Sequence, residues 1–160
     1  MKEFLRGNYK VDAEIKETSD EERSTLEEAF ERKAWHGTNL RGSLRRLAPE
    51  VAAWRPAASR HNAWEIALHC AYWKYAVWRR LTGVKRGSFP LGGSNWFRRP
   101  QPPMDSSSQL AWKSDVRLLA DMHERLIGAV RVFAAANWEE RAPGSPFRYR
   151  DLVTGAAAHD

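Results

Sequence analysis

The sequence predicts an all-α fold, a four-helix bundle running up-down-down-up, and three observations carry that expectation. Apolar residues recur at helical three-to-four spacing through two long stretches, 62–81 and 106–136. No stretch alternates convincingly as a strand does, and there is no internal repeat. The connection after Gly83 is long, and a long crossover between the second and third helices lets them run parallel where short loops force antiparallel neighbours.

Residues 1–19 lack a sustained period and are expected to form an N-terminal arm, leaving 20–160 as a single helical bundle domain. The segment 20–33 is charged and rich in helix formers, with Asp20 as a candidate N-cap. His36–Gly37–Thr38 interrupts it. Thr38 then reads as a new cap before Leu40, Leu44 and Leu47, and Pro49 as a stop. Asn62, with Glu65 three residues on, resembles a capping box at the head of a helix roughly 30 Å long that Gly83 ends. Residues 84–105, with Pro90, Pro100, Pro102 and Pro103, read as a loop without a clear period. Leu110, Val116, Leu119, Met122, Leu126, Val130 and Phe133 trace the buried face of 106–136. A last helix begins near Tyr149 after a second loop and is expected to run on to Asp160.

Composition narrows the class. At 160 residues, 42% hydrophobic and 29% charged, the chain suits one globular domain and argues against wholesale disorder. The single cysteine, Cys70, excludes an intrachain disulfide and a cysteine-rich zinc module and points to a reducing, cytoplasmic compartment. No apolar run approaches the length of a membrane span, and Met1–Asp20 lacks a signal-peptide core. The net charge of +6 comes largely from Arg41, Arg45, Arg46, Arg79, Arg80, Lys85, Arg86, Arg98 and Arg99, dispersed over several elements. Nucleic acid is therefore the weaker expectation as a partner, and no membrane partner is expected.

Five histidines are available for chemistry. His69 lies two turns into the best helix, with Glu65 and Trp73 four residues to either side on its face. His159 follows Gly155–Ala156–Ala157–Ala158, small residues that permit close approach to a neighbouring helix. Imidazoles from facing helices can ligate a metal in a bundle core. There is no H-x-x-x-H or H-E-x-x-H pair, so spacing alone leaves each histidine open between ligand and structural residue. Cys70 points away from His69 and reads as a buried filler, His123 as a core-edge residue and His61 as solvated. Trp35, Trp64, Trp73, Trp78 and Trp112 read as core or interface, whereas Trp96 and Phe97, beside Arg98 and Arg99 in the long loop, are placed to cover a pocket or a partner.

Four runs occur in order: Ala34–Trp35–His36–Gly37; His61 to His69 leading to Trp73 and Arg80–Leu81–Thr82–Gly83; Asn95–Trp96–Phe97; and Tyr149–Arg150–Asp151–Leu152 with Gly155 to Asp160. In that order they resemble the DinB-like (YfiT-like) superfamily of damage-inducible proteins and metalloenzymes. The resemblance implies the same up-down-down-up bundle and a site of three histidines. It matches His69 to the ligand of the second helix and His159 to the first of an H-x-x-x-H pair, whose second member would fall at position 163, past the last residue given, Asp160. The chain is thus expected to stop inside that motif, with the metal incompletely held or absent. His36, in a Trp–His–Gly motif common in this branch, is the candidate third ligand, with Trp73, Glu65 and Trp96 lining the pocket.

The implied cofactor is a divalent metal (Zn, Ni or Fe). The implied enzyme transfers a low-molecular-weight thiol to an electrophilic small-molecule substrate, or is a hydrolase, because a bound metal makes a thiol a thiolate at neutral pH. The alternatives are a non-enzymatic helical homodimer or interaction module without a complete site, suited by the eight tryptophans, and a basic nucleic-acid-binding protein.

Overall fold

The computed structural model describes residues 19–160 apart from residues 34, 36 and 86. Most of the expected arm, together with His36 and Arg86, therefore lies outside the described residues. Among those described the chain is helical, with no sheet. The elements are α1 (19–30), α2 (Leu40–Ser43), α3 (Pro49–Ala53), α4 (Ala63–Thr82), α5 (Ser106–Val132) and α6 (Tyr149–Ala158), with a 3-10 turn at Ala135–Asn137. No helix among the described residues is long and apolar enough to cross a membrane.

The two long helices follow the sequence pattern closely. Asn62 caps α4, its side-chain oxygen accepting from Glu65 N at 2.8 Å, and Gly83 ends it in the left-handed conformation, φ 67°, that glycine adopts without strain. The capping box is only half formed, because the Glu65 carboxylate turns instead to Arg55 and His61. Asp105 caps α5, accepting from Ser108 N at 2.8 Å. The expected stripe of α5 is buried from Leu119 through Met122 and Leu126 to Val130, but Leu110 is 68% exposed, on the side of the helix away from the buried Ser108 and Trp112. The helix also stops at Val132, short of Ala136.

The region before α4 departs most from expectation. Ser19 and Asp20 are already helical, so Asp20 lies within α1 rather than capping it. Asn39, not Thr38, caps α2, which is a single turn where a helix through Leu47 was expected. Pro49 opens α3 instead of ending a helix: a proline at the first position has no N–H to leave unsatisfied.

Side chains from α4 and α5 run through both parts of the core. One part joins Phe30, Leu40, Leu44, Trp64, Leu68, Trp112, Leu119 and Met122; the other joins Leu26, Val77, Leu126, Val130, Trp138 and Val153, which brings in α6. Trp64 and Trp112 are core residues as expected, and so is Trp138, whereas Trp35 is 95% exposed.

The 84–105 connection is a packed element rather than a loose loop. Phe89 and Phe97 are buried with ring centroids 5.1 Å apart. Arg99 reaches the buried Asp115 of α5, Nε to Oδ2 at 2.8 Å and Nη2 to Oδ1 at 3.0 Å. Trp64 of α4 donates to the same carboxylate at 2.7 Å. Burial pushes the Asp115 carboxyl up, against the opposing pull of these donors. One carboxylate thus ties the 84–105 connection to both long helices, through Arg99, three residues from Trp96.

Candidate metal centre

His69 is half-buried on α4 and held from the crossover. Its Nδ1 is 2.9 Å from the carbonyl oxygen of Asn95. A carbonyl only accepts, so Nδ1 carries the hydrogen and Nε2 keeps its lone pair. Asn95 is in the left-handed region, φ 64°, which asparagine tolerates better than other side chains. Its side-chain oxygen accepts from Trp73 Nε1 at 3.1 Å. One residue therefore sets the His69 ring through its backbone and the Trp73 ring through its side chain. Burial, then the neighbouring His159 and His61, hold the His69 imidazole below its ordinary pKa against the Asn95 hydrogen bond. That favours the neutral, ligand-competent form.

His159 comes to the same corner from the end of α6. Its Nδ1 is 2.7 Å from Gly155 O, so it too donates there and leaves Nε2 with a lone pair. The His69 and His159 rings are 5.2 Å apart between centroids, with Trp73 5.5 Å from His159. Buried Ala156 and Ala157 let α6 pack closely on α4. Two further contacts fix this end: Cys70 Sγ donates to His159 O at 3.0 Å, and Lys74 Nζ pairs with the Asp160 carboxylate, both side chains fully buried. Burial pushes the Cys70 thiol up to about 12, which leaves it an unreactive filler as expected. Burial likewise raises the Asp160 carboxyl, against the attraction of Lys74.

The indole of Trp96 is sandwiched, stacking on His69 at 3.9 Å on one side and on His61 at 3.5 Å on the other. His61 is not simply solvated, since its Nδ1 lies 3.0 Å from Glu65 Oε2, and Arg55 pairs with the other oxygen of that carboxylate. Burial works to raise the Glu65 pKa, but the Arg55 and His61 hydrogen bonds outweigh it and hold the carboxyl low. Glu65 is thereby committed as an ionised anchor for His61. Two cavities flank the corner. One, of about 530 Å³, is lined by Glu65, Trp96, His61 and arginines including Arg60 and Arg98. The other, of about 420 Å³, has Trp73, Val77, Phe147, Gly155 and His159 on its wall.

Among the sequence candidates, His69, His159, Trp73 and Trp96 meet at one corner, Glu65 lies behind His61, and His36 is outside the described residues. Among the described residues no group of three or more His, Cys, Asp or Glu is placed to share an ion. The donor set nonetheless suits a metal. Metal-bound histidines almost always donate their other nitrogen to a carbonyl, carboxylate or water, as both rings do here. Two imidazoles on one tetrahedral ion with metal–nitrogen bonds of about 2.0–2.1 Å have centroids roughly 5 Å apart, close to the observed spacing.

Sequence reasoning gave no role to Lys74 or Asn95 and misplaced His123. Lys74 is a charge in the middle of an apolar helical face, four residues from Cys70, and that misplacement was its visible signal. Asn95 had one too, as an asparagine closing a glycine-rich turn before two aromatics. His123 is fully buried rather than at the core edge, and neither ring nitrogen has a hydrogen-bond partner among the described residues.

No curated protein and no solved structure matches the chain. A family model does, over residues 32–160, a span that contains the crossover and both histidines with their supporting side chains. On that match the chain belongs to the DinB superfamily.

Proposed function

We propose that the chain is a divalent-metal-dependent enzyme whose metal is ligated by His69 and His159, and that it acts on an electrophilic small molecule with a low-molecular-weight thiol. The observation that carries this reading is the shared state of the two rings: each gives its Nδ1 hydrogen to a backbone carbonyl and keeps Nε2 unspent. A bound divalent metal would supply charge that keeps a thiol ionised at neutral pH. The chain's own residues do the rest. Asn95 sets the His69 ring, Trp96 covers it from water, and the cavity beside Trp73 and Val77 offers an apolar wall to the substrate. The four-helix, up-down-down-up arrangement with 84–105 as crossover belongs to the same reading, supported by the shared core of α1, α4, α5 and α6.

Metal titration followed by elemental analysis tests it. Wild type is expected to retain metal, and His69→Ala and His159→Ala each to lose at least about 10-fold in affinity. His61→Ala, whose contacts are the far side of Trp96 and the Glu65 carboxylate, is expected to bind as wild type. Equal metal binding by all four proteins would overturn the assignment.

A second reading, a homodimeric interaction module, is favoured by Val51 on α3 and the adjacent Trp54, 57% and 65% exposed. Light scattering at micromolar concentration is expected to show a dimer for wild type and a monomer for Trp54→Ser on that reading. A monomeric wild type would count against it.

A further inference from the structure

A groove of about 830 Å³ runs between the end of α1, the turn after α2 and the N-terminal half of α5. Its volume falls in the range of small-molecule sites. Phe30, Leu44 and Val116 give it an apolar floor, and its rim carries Arg32, Arg41, Arg45, Arg46, Lys113 and Arg117 against one acid, Glu31.

The charges are not mutually satisfied. Glu31 pairs with Arg41, and Arg32 with Glu27. Arg45, Arg46, Lys113 and Arg117 are exposed, and their side chains make no hydrogen bond or ion pair among the described residues. Lys113 and Arg117 stand one helical turn apart, where like charges repel. Arg46 adds a second, independent sign. It sits at φ 60°, a left-handed position where glycine is the unstrained choice and a long side chain is disfavoured. Strain kept at a charged residue on a cavity rim is what a ligand contact would explain. Guanidinium groups suit the oxygens of a phosphate, and the floor suits an apolar body.

We propose that this groove binds a small organic phosphate, an apolar or aromatic body carrying a dianionic end, at a site separate from the His69–His159 corner. The probe is 1-naphthyl phosphate, titrated calorimetrically into the full chain against 1-naphthol and inorganic phosphate. The phosphate ester is expected to bind at least about 10-fold tighter than either half alone, and more weakly as salt rises. Arg46→Gly removes the cation while relieving the backbone, so its thermal midpoint is expected to hold or rise as its affinity falls about 5-fold or more. His69→Ala is expected to bind the probe as wild type.

Equal affinity for naphthol would overturn the proposal, as would wild-type affinity in Arg46→Gly or loss of binding in His69→Ala. A short single-stranded oligonucleotide that binds more tightly than the probe and is weakened by Arg46→Gly would also overturn it, giving the groove to nucleic acid.

Discussion

His69 and His123 project from the two long helices, and burial lowers the pKa of both. In all else they differ. His69 has one nitrogen fixed by Asn95, a face covered by Trp96, and a second histidine alongside. His123 is wholly enclosed, stacked on Phe30 at 4.2 Å, with neither nitrogen hydrogen-bonded among the described residues. Burial makes an imidazole neutral in either setting. What prepares one for chemistry is a hydrogen bond that fixes the tautomer and leaves the other nitrogen at an accessible corner.

Lys74 stands between the two settings, and removing it is the largest perturbation. It pairs with Asp160, next to His159, and its ammonium lies 5.2 Å from the centroid of the Phe30 ring on which His123 stacks. Lys74→Met leaves the Asp160 carboxylate buried without its cation, and such a loss costs about 3–5 kcal/mol. Urea unfolding is expected to show that drop. The double variant Lys74→Met/Asp160→Leu is expected to recover most of it, because replacing both members of a buried pair with apolar groups is often neutral. An equal loss in both variants would mean that lysine packing, not the ion pair, holds the end of α6.

The same contrast explains what could be read from sequence. Helices α4 and α5 were legible because their apolar period is long and Asn62, Gly83 and the Ser106 start mark their ends. The region 38–53 was not, because Asn39 and Thr38 are both competent caps and Pro49 serves equally as a stop or a first residue; packing decided between them. His69 and His159 were named through ordered motifs, but their spatial approach depends on the crossover, whose Asn95 contacts have no periodic signature. His123 shows the converse failure. It lies on the α5 stripe, and spacing cannot tell a core edge from a core centre once Phe30, from a distant segment, covers it.

His123 supplies the next test, through pH. Burial first, and then Lys74 and Arg41, depress its pKa from 6.5 to about 3. Between those values the unfolded chain takes up a proton that the folded chain refuses, so the residue's effect on stability worsens as pH falls through that window. The expected slope from this one group is about 1.4 kcal/mol per pH unit. His123→Leu, of similar volume and without unpartnered nitrogens, removes it. Unfolding free energies from pH 7 to pH 4 are expected to diverge progressively in favour of the variant. Parallel pH profiles would mean that His123 gains a partner or water on protonation.

The smallest expected effect comes from Trp96, the cover that distinguishes His69 from a merely buried ring. Its indole is 38% exposed yet stacks on His69 and His61 at once, so truncation opens the His69 face to water with little loss of core. Because burial is the chief cause of the lowered His69 pKa, Trp96→Ala in metal-free protein is expected to return it toward the ordinary histidine value, as followed by NMR titration. The Asn95 hydrogen bond favours the charged form in either protein and so does not oppose the upward shift. Stability is expected to fall only modestly, since the rings lie at the surface edge of the stack. An unmoved pKa would show that α4 and the neighbouring His159, rather than the crossover tryptophan, keep this imidazole neutral. The burial that matters at the site would then be the same kind that encloses His123.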